Sequence, residues 1–167
     1  SQTSNVDGLL PSAEPFLVLS GDHDFNQLQK WSNVKQYAPV QKKFVKITES
    51  PSAVLMEHII MGDKGDGVPN ILSDDDTFVT GSRQRPMKKD KVAEWKHQKP
   101  EDFITSDEMW RNFQRNRELV DLSRIPEDIK EAIIDSYEKQ KGGDRSGLLN
   151  YFIANRMKQM IDLIDEF

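Results

Sequence analysis

The sequence predicts an α/β fold in which a short parallel sheet precedes a run of helices, and three observations carry that expectation. The apolar run Phe16 to Leu19 is continuous and is stopped by Gly21, the pattern of a strand covered on both faces. Residues 34–47, VKQYAPVQKKFVKI, read as two short strands about a turn at Pro39. From Ser50 onward the signals are helical, with caps, prolines at first helical positions and apolar residues three and four apart.

Residues 1–14 are polar and irregular, with Pro11 and Pro15 as punctuation, and read as an entry loop or tail. Ser50 followed by Pro51 is an N-cap with proline at the first helical position; the helix it opens runs through Val54, His58 and Ile59 and stops near Gly62. Thr105 and Glu108 stand at capping-box spacing, ahead of a face carrying Met109, Trp110 and Phe113. Pro126 opens another helix, with Ile129, Ile133 and Tyr137 in register and Gly142 and Gly143 at its end. The periodicity of Leu149, Phe152, Ile153, Met157, Met160, Ile161 and Ile164 predicts one last continuous helix.

Composition narrows the function classes. With 36% hydrophobic and 31% charged residues among 167, the chain is expected to be soluble and globular. Cysteine is absent, which rules out thiolate metal sites and disulfides and favours an intracellular, cytoplasmic setting. No apolar stretch approaches membrane-spanning length, and no signal peptide is visible. A net charge of −5 argues against a simple nucleic-acid coat, but the average hides a pattern. Residues 61–76 carry five acids and one base, whereas 83–99 carry seven Lys or Arg and two acids.

The acids form two local pairs. Asp22 and Asp24 follow the end of a predicted strand, where ligands bind in open parallel sheets, and in an extended segment residues two apart point the same way. Asp63 and Asp66, in GDKGDGVP, are three apart and can share one face of a helical turn. Two unit charges about 4 Å apart repel by about 1 kcal/mol in water and about 4 kcal/mol near a protein surface. Four carboxylates gathered in one cleft therefore call for a cation, and hard oxygen donors suit Mg²⁺ or Mn²⁺. The plainer alternative is that Asp22 and Asp24 form a turn and N-cap while Asp63 and Asp66 sit in a solvated loop. His23 reads as a surface residue, and Asp74, Asp75 and Asp76 as caps of the next element.

Arg83, Arg85, Lys88, Lys89 and Lys91 are dense enough to contact phosphates, which fixes register without reading sequence. The plainer reading is a solvated helix start with Trp95 as its core anchor.

Three blocks, SGDHDFNQLQKWSNVKQYAPVQKKFVKI, GDKGDGVPNI and RNRELVDLSRIPEDI, resemble the 5′ nuclease (flap endonuclease) family, nearest its T-even-type phage ribonuclease H branch. The resemblance runs from about Phe16 to Phe167. It implies an α/β chain with the carboxyl-terminal part of a PIN-like parallel-sheet core over 1–70 and a helical duplex-DNA-binding region over 71–167. It implies two-metal phosphodiester hydrolysis that removes RNA primers and 5′ flaps, with Mg²⁺ or Mn²⁺ as cofactor and two ions in the complete enzyme. By position Asp22 resembles an acid of the first metal site, and Asp24, Asp63 and Asp66 resemble those around the second. The implied partners are branched or nicked duplex DNA and RNA/DNA hybrid. For the carboxyl end KQMIDLIDEF the family's setting suggests a sliding clamp or single-strand binding protein, against the plainer reading of a helix closing the core.

Two departures qualify the resemblance. The family's first-strand aspartate, the acid beside its helical arch and the Glu/Asp pair before the strand at 16–19 have no counterpart here, so the chain is expected to be a carboxyl-terminal half that works with an upstream segment. After GDKGDGVPN the sequence lacks the glycine-rich hairpin that holds duplex DNA through a monovalent ion, and Gly67 replaces the usual Asn. The alternative function is a non-catalytic DNA- or replisome-binding module derived from that family.

Overall fold

Strand β1, Phe16–Leu19, runs parallel to β2, Val34–Ala38, with Phe16 opposite Val34 and Leu19 opposite Tyr37. A parallel pair needs a crossover, and here it is a 3-10 helix, His23–Lys30. β3, Lys43–Phe44, returns antiparallel to β2 after the turn at Pro39, completing a three-stranded sheet in the order β1-β2-β3. The computed structural model describes residues 14–140 and 145–166; the reading of residues 1–14 as an entry loop thus lies almost wholly outside the described residues.

The apolar run forms the expected strand but not the expected burial. Leu17 and Leu19 are 56% and 65% exposed, and Phe16 is exposed as well. Covering both faces of a parallel strand takes an element on each, whereas the single crossover between β1 and β2 is one 3-10 helix.

The helical core follows. Ser50 caps α1, Pro51–Met61, by accepting from the Ala53 N–H at 3.2 Å, with Pro51 in the first turn as the sequence predicts. α2 spans Lys89–Trp95, α3 Pro100–Phe103 and α4 Asp107–Val120. Ile59 and Ile60 of α1 pack with Ile71, Val92, Phe103, Met109, Phe113 and Val120 in one buried cluster. Half-buried Trp95 stacks on Phe103 with ring centroids 5.1 Å apart, as a core anchor should. Lys96 ties the end of α2 to α1, its Nζ 2.8 Å from carboxylate oxygens of both Glu49 and Glu57.

The α4 cap differs from the expected capping box by one residue. Ser106, extended at φ −148°, accepts from the Met109 N–H at 3.2 Å, and Glu108 turns away to pair with Arg85 at 3.2 Å. A serine hydroxyl one position nearer the helix outcompetes Thr105 for the unpaired N–H groups.

The chain divides into two compact units, the first ending at Ile125 and the second starting at Pro126. In the second, α5 covers Glu127–Gln140, with Ile129, Ile133 and Tyr137 exposed on its surface. Gly142 and Gly143 lie outside the described residues. The expected single last helix is broken into α6, Leu148–Ala154, α7, Lys158–Ile161, and a 3-10 turn, Ile164–Glu166. Arg156 adopts a left-handed φ of 55°, while the Met157 N–H reaches the Phe152 carbonyl at 2.9 Å and the Arg156 N–H the Ile153 carbonyl at 3.1 Å. That pair of bonds is a helix-terminating Schellman motif, which apolar periodicity alone cannot reveal. Among the described residues no helix is long and apolar enough to cross a membrane.

Candidate metal centre

Local chemistry places the first acidic pair. Ser20 Oγ accepts from the Asp22 N–H at 3.1 Å, and the Asp22 carboxylate caps the 3-10 helix by accepting from the Asp24 N–H at 2.9 Å. The two acids are therefore not neighbours on an extended strand, because the turn begins between them. Buried Gln36, on β2, donates to the carbonyls of Ser20 and Asp22 at 3.0 and 2.7 Å and fixes this turn against the sheet.

The second pair follows α1. Gly62 terminates that helix at φ +67°, and a Cβ there would lie 2.3 Å from the Val68 carbonyl oxygen, so only glycine lets the chain double back. Asp63 and Val68 bridge antiparallel across the loop. The Asp63 carboxylate accepts from the N–H groups of Gly65 (2.7 Å) and Asp66 (3.3 Å), folding GDKGDG into a turn about that side chain.

α4 holds the continuation of the loop. Asn116, buried, donates to the carbonyls of Ile59 and Pro69 at 2.8 and 2.9 Å, and Asn112, also buried, to those of Ile71 and Ser73 at 3.2 and 3.1 Å. Arg115 donates to the Pro69 carbonyl at 2.9 Å and pairs with Asp75. A guanidinium thus sits among loop carbonyls. The two asparagines had a legible signal, since Asn112 and Asn116 are four apart on the face that carries Met109, Phe113 and Val120.

The two acidic pairs meet at His58, in the last turn of α1. Its Nδ1 lies 3.3 Å from Asp24 Oδ1 and its Nε2 3.3 Å from Asp63 Oδ2. The Asp63 contact is a hydrogen bond; the Asp24 contact is not aligned for one, which leaves Asp24 Oδ1 buried beside the ring with no hydrogen-bond partner among the described residues. Burial raises the Asp24 pKa most; His58 opposes the rise, and Asp22, Asp63 and Asp66 add to it. Asp24 thus feels the charge of the other three acids. For Asp63, burial also raises the pKa, but the N–H groups of Asp66 and Gly65 and the His58 ring outweigh it and leave the value below 3.8. Beside them lies a hollow of about 490 Å³ bounded by His23, Asn26, Glu57, His58, Asp63 and Lys64, and the amide oxygen of nearly buried Asn26 has no partner among the described residues.

The donors available are hard oxygens with one imidazole, which fits Mg²⁺ or Mn²⁺. Among the described residues no three His, Asp or Glu side chains are close enough to hold an ion between them.

The residues matched by a family model decide the relationship. The model described as "T4 RNase H, C terminal" matches residues 49–167. The chain belongs to this family. It is similar to "Ribonuclease H" of Enterobacteria phage T4, at 31% identity over 156 residues, covering 90% of this chain and 51% of that protein. The chain thus spans about half the length of the curated relative it matches. Within the T4 RNase H C-terminal match fall Asp63, Asp66, His58 and α4, whereas Asp22 and Asp24 lie upstream of it.

The basic segment belongs to the same matched stretch. Arg83, Arg85, Lys88, Lys89 and Lys91 are all exposed. The segment is pinned to the loop after GDKGDGVP: Asn70 donates to the Arg85 carbonyl at 2.9 Å, and the Arg85 N–H donates to Ser73 Oγ at 2.9 Å. Arg85 pairs with Glu108, and Lys91 lies over the Trp95 ring at 5.4 Å. At the carboxyl end Leu163 is exposed while Met160 and Ile164 are half-buried, and Phe167 lies outside the described residues.

Proposed function

We propose that this chain is part of a metal-dependent 5′ nuclease of the phage ribonuclease H type, which removes RNA primers and 5′ flaps during replication. The observation that carries the reading is the meeting of Asp24 and Asp63 at His58, with Asp22 and Asp66 within electrostatic reach of Asp24. In this reading β1 and β2 belong to a larger, PIN-like parallel sheet completed by an upstream segment, and the helices from α2 onward hold duplex DNA.

Asp22, Asp24, Asp63 and Asp66 would hold Mg²⁺ or Mn²⁺, with two ions in the complete enzyme. When bound, the ions supply Lewis acidity that activates a water nucleophile and stabilises the leaving 3′ oxygen. The chain's own residues do the rest. The Gly65 and Asp66 N–H groups orient the Asp63 carboxylate, and Asn112, Arg115 and Asn116 keep the loop from yielding when a polyanion approaches. Arg83, Lys88 and Lys89 neutralise phosphates of the duplex.

A second reading is a DNA- or replisome-binding module without catalysis, favoured by the lack of a three-group ligand cluster among the described residues. One experiment separates the two. The chain joined to, or mixed with, a segment corresponding to the rest of the T4 relative should cleave a 5′ flap or RNA/DNA hybrid with Mg²⁺, and Asp63→Ala should abolish cleavage without unfolding the protein. Duplex binding with no cleavage by a folded, reconstituted protein would favour the binding module.

A further inference from the structure

The acidic loop and the basic segment are joined through side chains alone. Among the described residues no backbone-to-backbone hydrogen bond links residues 63–73 with residues 83–91, and the detour made by residues 74–83 would let the two drift. Asn70 closes that detour. It stands two positions past Val68, which bridges to Asp63; its backbone N–H donates to Gln84 Oε1 at 2.7 Å and its Nδ2 to the Arg85 carbonyl at 2.9 Å. Its Oδ1 accepts from the Leu72 N–H at 3.0 Å and from the Ser73 hydroxyl at 2.9 Å, and Ser73 Oγ accepts in turn from the Arg85 N–H at 2.9 Å. Asn70 and Ser73 are both buried, and α4 holds the strip through Asn112, which donates to the Ile71 and Ser73 carbonyls. A buried polar network whose members are paired is rigid and specifies one arrangement.

We infer that Asn70 is a positioning residue: through Gln84, Ser73 and Arg85 it fixes the basic segment in one register with the loop that carries Asp63 and Asp66, so that a duplex held by the segment meets the acids at one phosphodiester. This rests on the nuclease reading above and deepens it, by assigning what decides where on the DNA the cut falls. Phosphate contacts set the register of a protein on a duplex, but that register reaches the acids only if the segment is itself fixed to them. The far end of the segment is fixed by packing, since Val92 of α2 is buried in one cluster with Ile59 and Ile60 of α1. At the near end Asn70 does the same by hydrogen bonds, and the Arg85 side chain adds a link to Glu108 of α4. A misplacement of about 1 Å can cost about 100-fold in rate. The spacing between grip and acids is therefore a functional quantity.

The chain has no cysteine, so Lys64→Cys, at an exposed position of the acidic loop, can carry a single iron–EDTA chelate that cuts nearby DNA whatever the chain's own activity. Bound to an end-labelled duplex with one 5′ flap, the tagged chain should cut in a single short cluster of positions at a constant offset from the flap junction. Asn70→Ala in the tagged chain should lose that cluster and cut over a spread of positions, with the salt slope of duplex binding unchanged because every cation remains. Arg83→Ala should do the reverse, weakening binding and flattening the slope while the cluster stays in place. Melting temperatures identify the folded variants. If Asn70→Ala does not fold, Gln84→Ala, which removes only the bond to the Asn70 N–H, decides by the same readout. A residue that served the fold alone would lower the melting temperature and leave the cluster where it was. An unmoved, equally narrow cluster in the folded variant overturns the inference and leaves the nuclease reading standing, as does a spread of cuts from the tagged chain before any change at Asn70. A tagged chain that binds neither duplex nor flap overturns both.

Discussion

The Gln27 amide nitrogen donates to the Val120 carbonyl at 3.0 Å, tying the 3-10 helix that carries Asp24 to the carboxyl end of α4 across more than ninety positions of sequence. The same side chain accepts from the Leu122 N–H at 3.0 Å, so one buried glutamine bonds to both sides of a helix terminus. Gln27→Leu keeps much of the volume and removes both partners. Each buried backbone group left unpaired costs about 1–3 kcal/mol, so with two such groups chemical denaturation should show a loss of about 2–6 kcal/mol with little change in slope.

Asp24 and Asp63 should respond to charge removal with opposite signs. The raised pKa of Asp24 means that the folded state favours its neutral form; its contribution is fully present below about pH 3.8 and is lost as pH rises through the raised folded value. The lowered pKa of Asp63 means the reverse, a contribution present above 3.8 that disappears as pH falls through the depressed folded value. In EDTA at neutral pH, Asp24→Asn should therefore raise the melting temperature and Asp63→Asn should lower it. Both differences should shrink on acidification, and a pH series of thermal melts reads them directly.

Gly62→Ala should be among the most damaging single changes that leave every charge in place. The left-handed backbone costs a non-glycine residue about 1–3 kcal/mol, and the new methyl would collide with the Val68 and Pro69 carbonyls. Because Asp63 is the next residue, Mn²⁺ affinity should fall together with stability, whereas Gly67→Ala, with open space around its Cβ, should affect stability through backbone conformation alone.

On the basic segment the exposed cations are not equivalent. Arg85 already pairs with Glu108, whereas Arg83, Lys88 and Lys89 have no acidic partner within ion-pair distance among the described residues. Replacing these last three with Ala should weaken duplex binding for all sequences alike and reduce the slope of log affinity against log salt by up to about 3. Arg85→Ala should change it less. An unchanged slope in fluorescence-anisotropy titrations would place the phosphate contacts elsewhere.

Much of this arrangement was legible in the sequence wherever a local signal decided the outcome. Ser50-Pro51 opens α1, Gly62 closes it, the apolar run Phe16 to Leu19 forms a strand, and residues 34–47 form two short strands about Pro39, as their sequence suggests. The acids of GDHD and GDKGD stood out by spacing, but His58 did not, because on the α1 periodicity it is one more residue beside Ile59 and its role depends on a turn 34 positions upstream. Asp22 and Asp24 were expected to point together from a strand, but a serine hydroxyl and an aspartate cap start the 3-10 helix there instead. The break at Arg156 escaped for a related reason. Helix termination of this kind is decided by one left-handed residue, and arginine carries no compositional warning of it.

The open edge of β1 bears on how the protein behaves at high concentration. Among the described residues β1 pairs only with β2, and its four residues, Phe16, Leu17, Val18 and Leu19, include no charge and no proline. An uncharged, apolar strand whose outer N–H and carbonyl groups meet no strand among the described residues is a template for pairing with another segment. In the reading proposed above this edge is where an upstream segment adds its strand, so the 167-residue chain taken alone should self-associate through β1, and Leu17→Lys should keep it dispersed where the unsubstituted chain starts to scatter light.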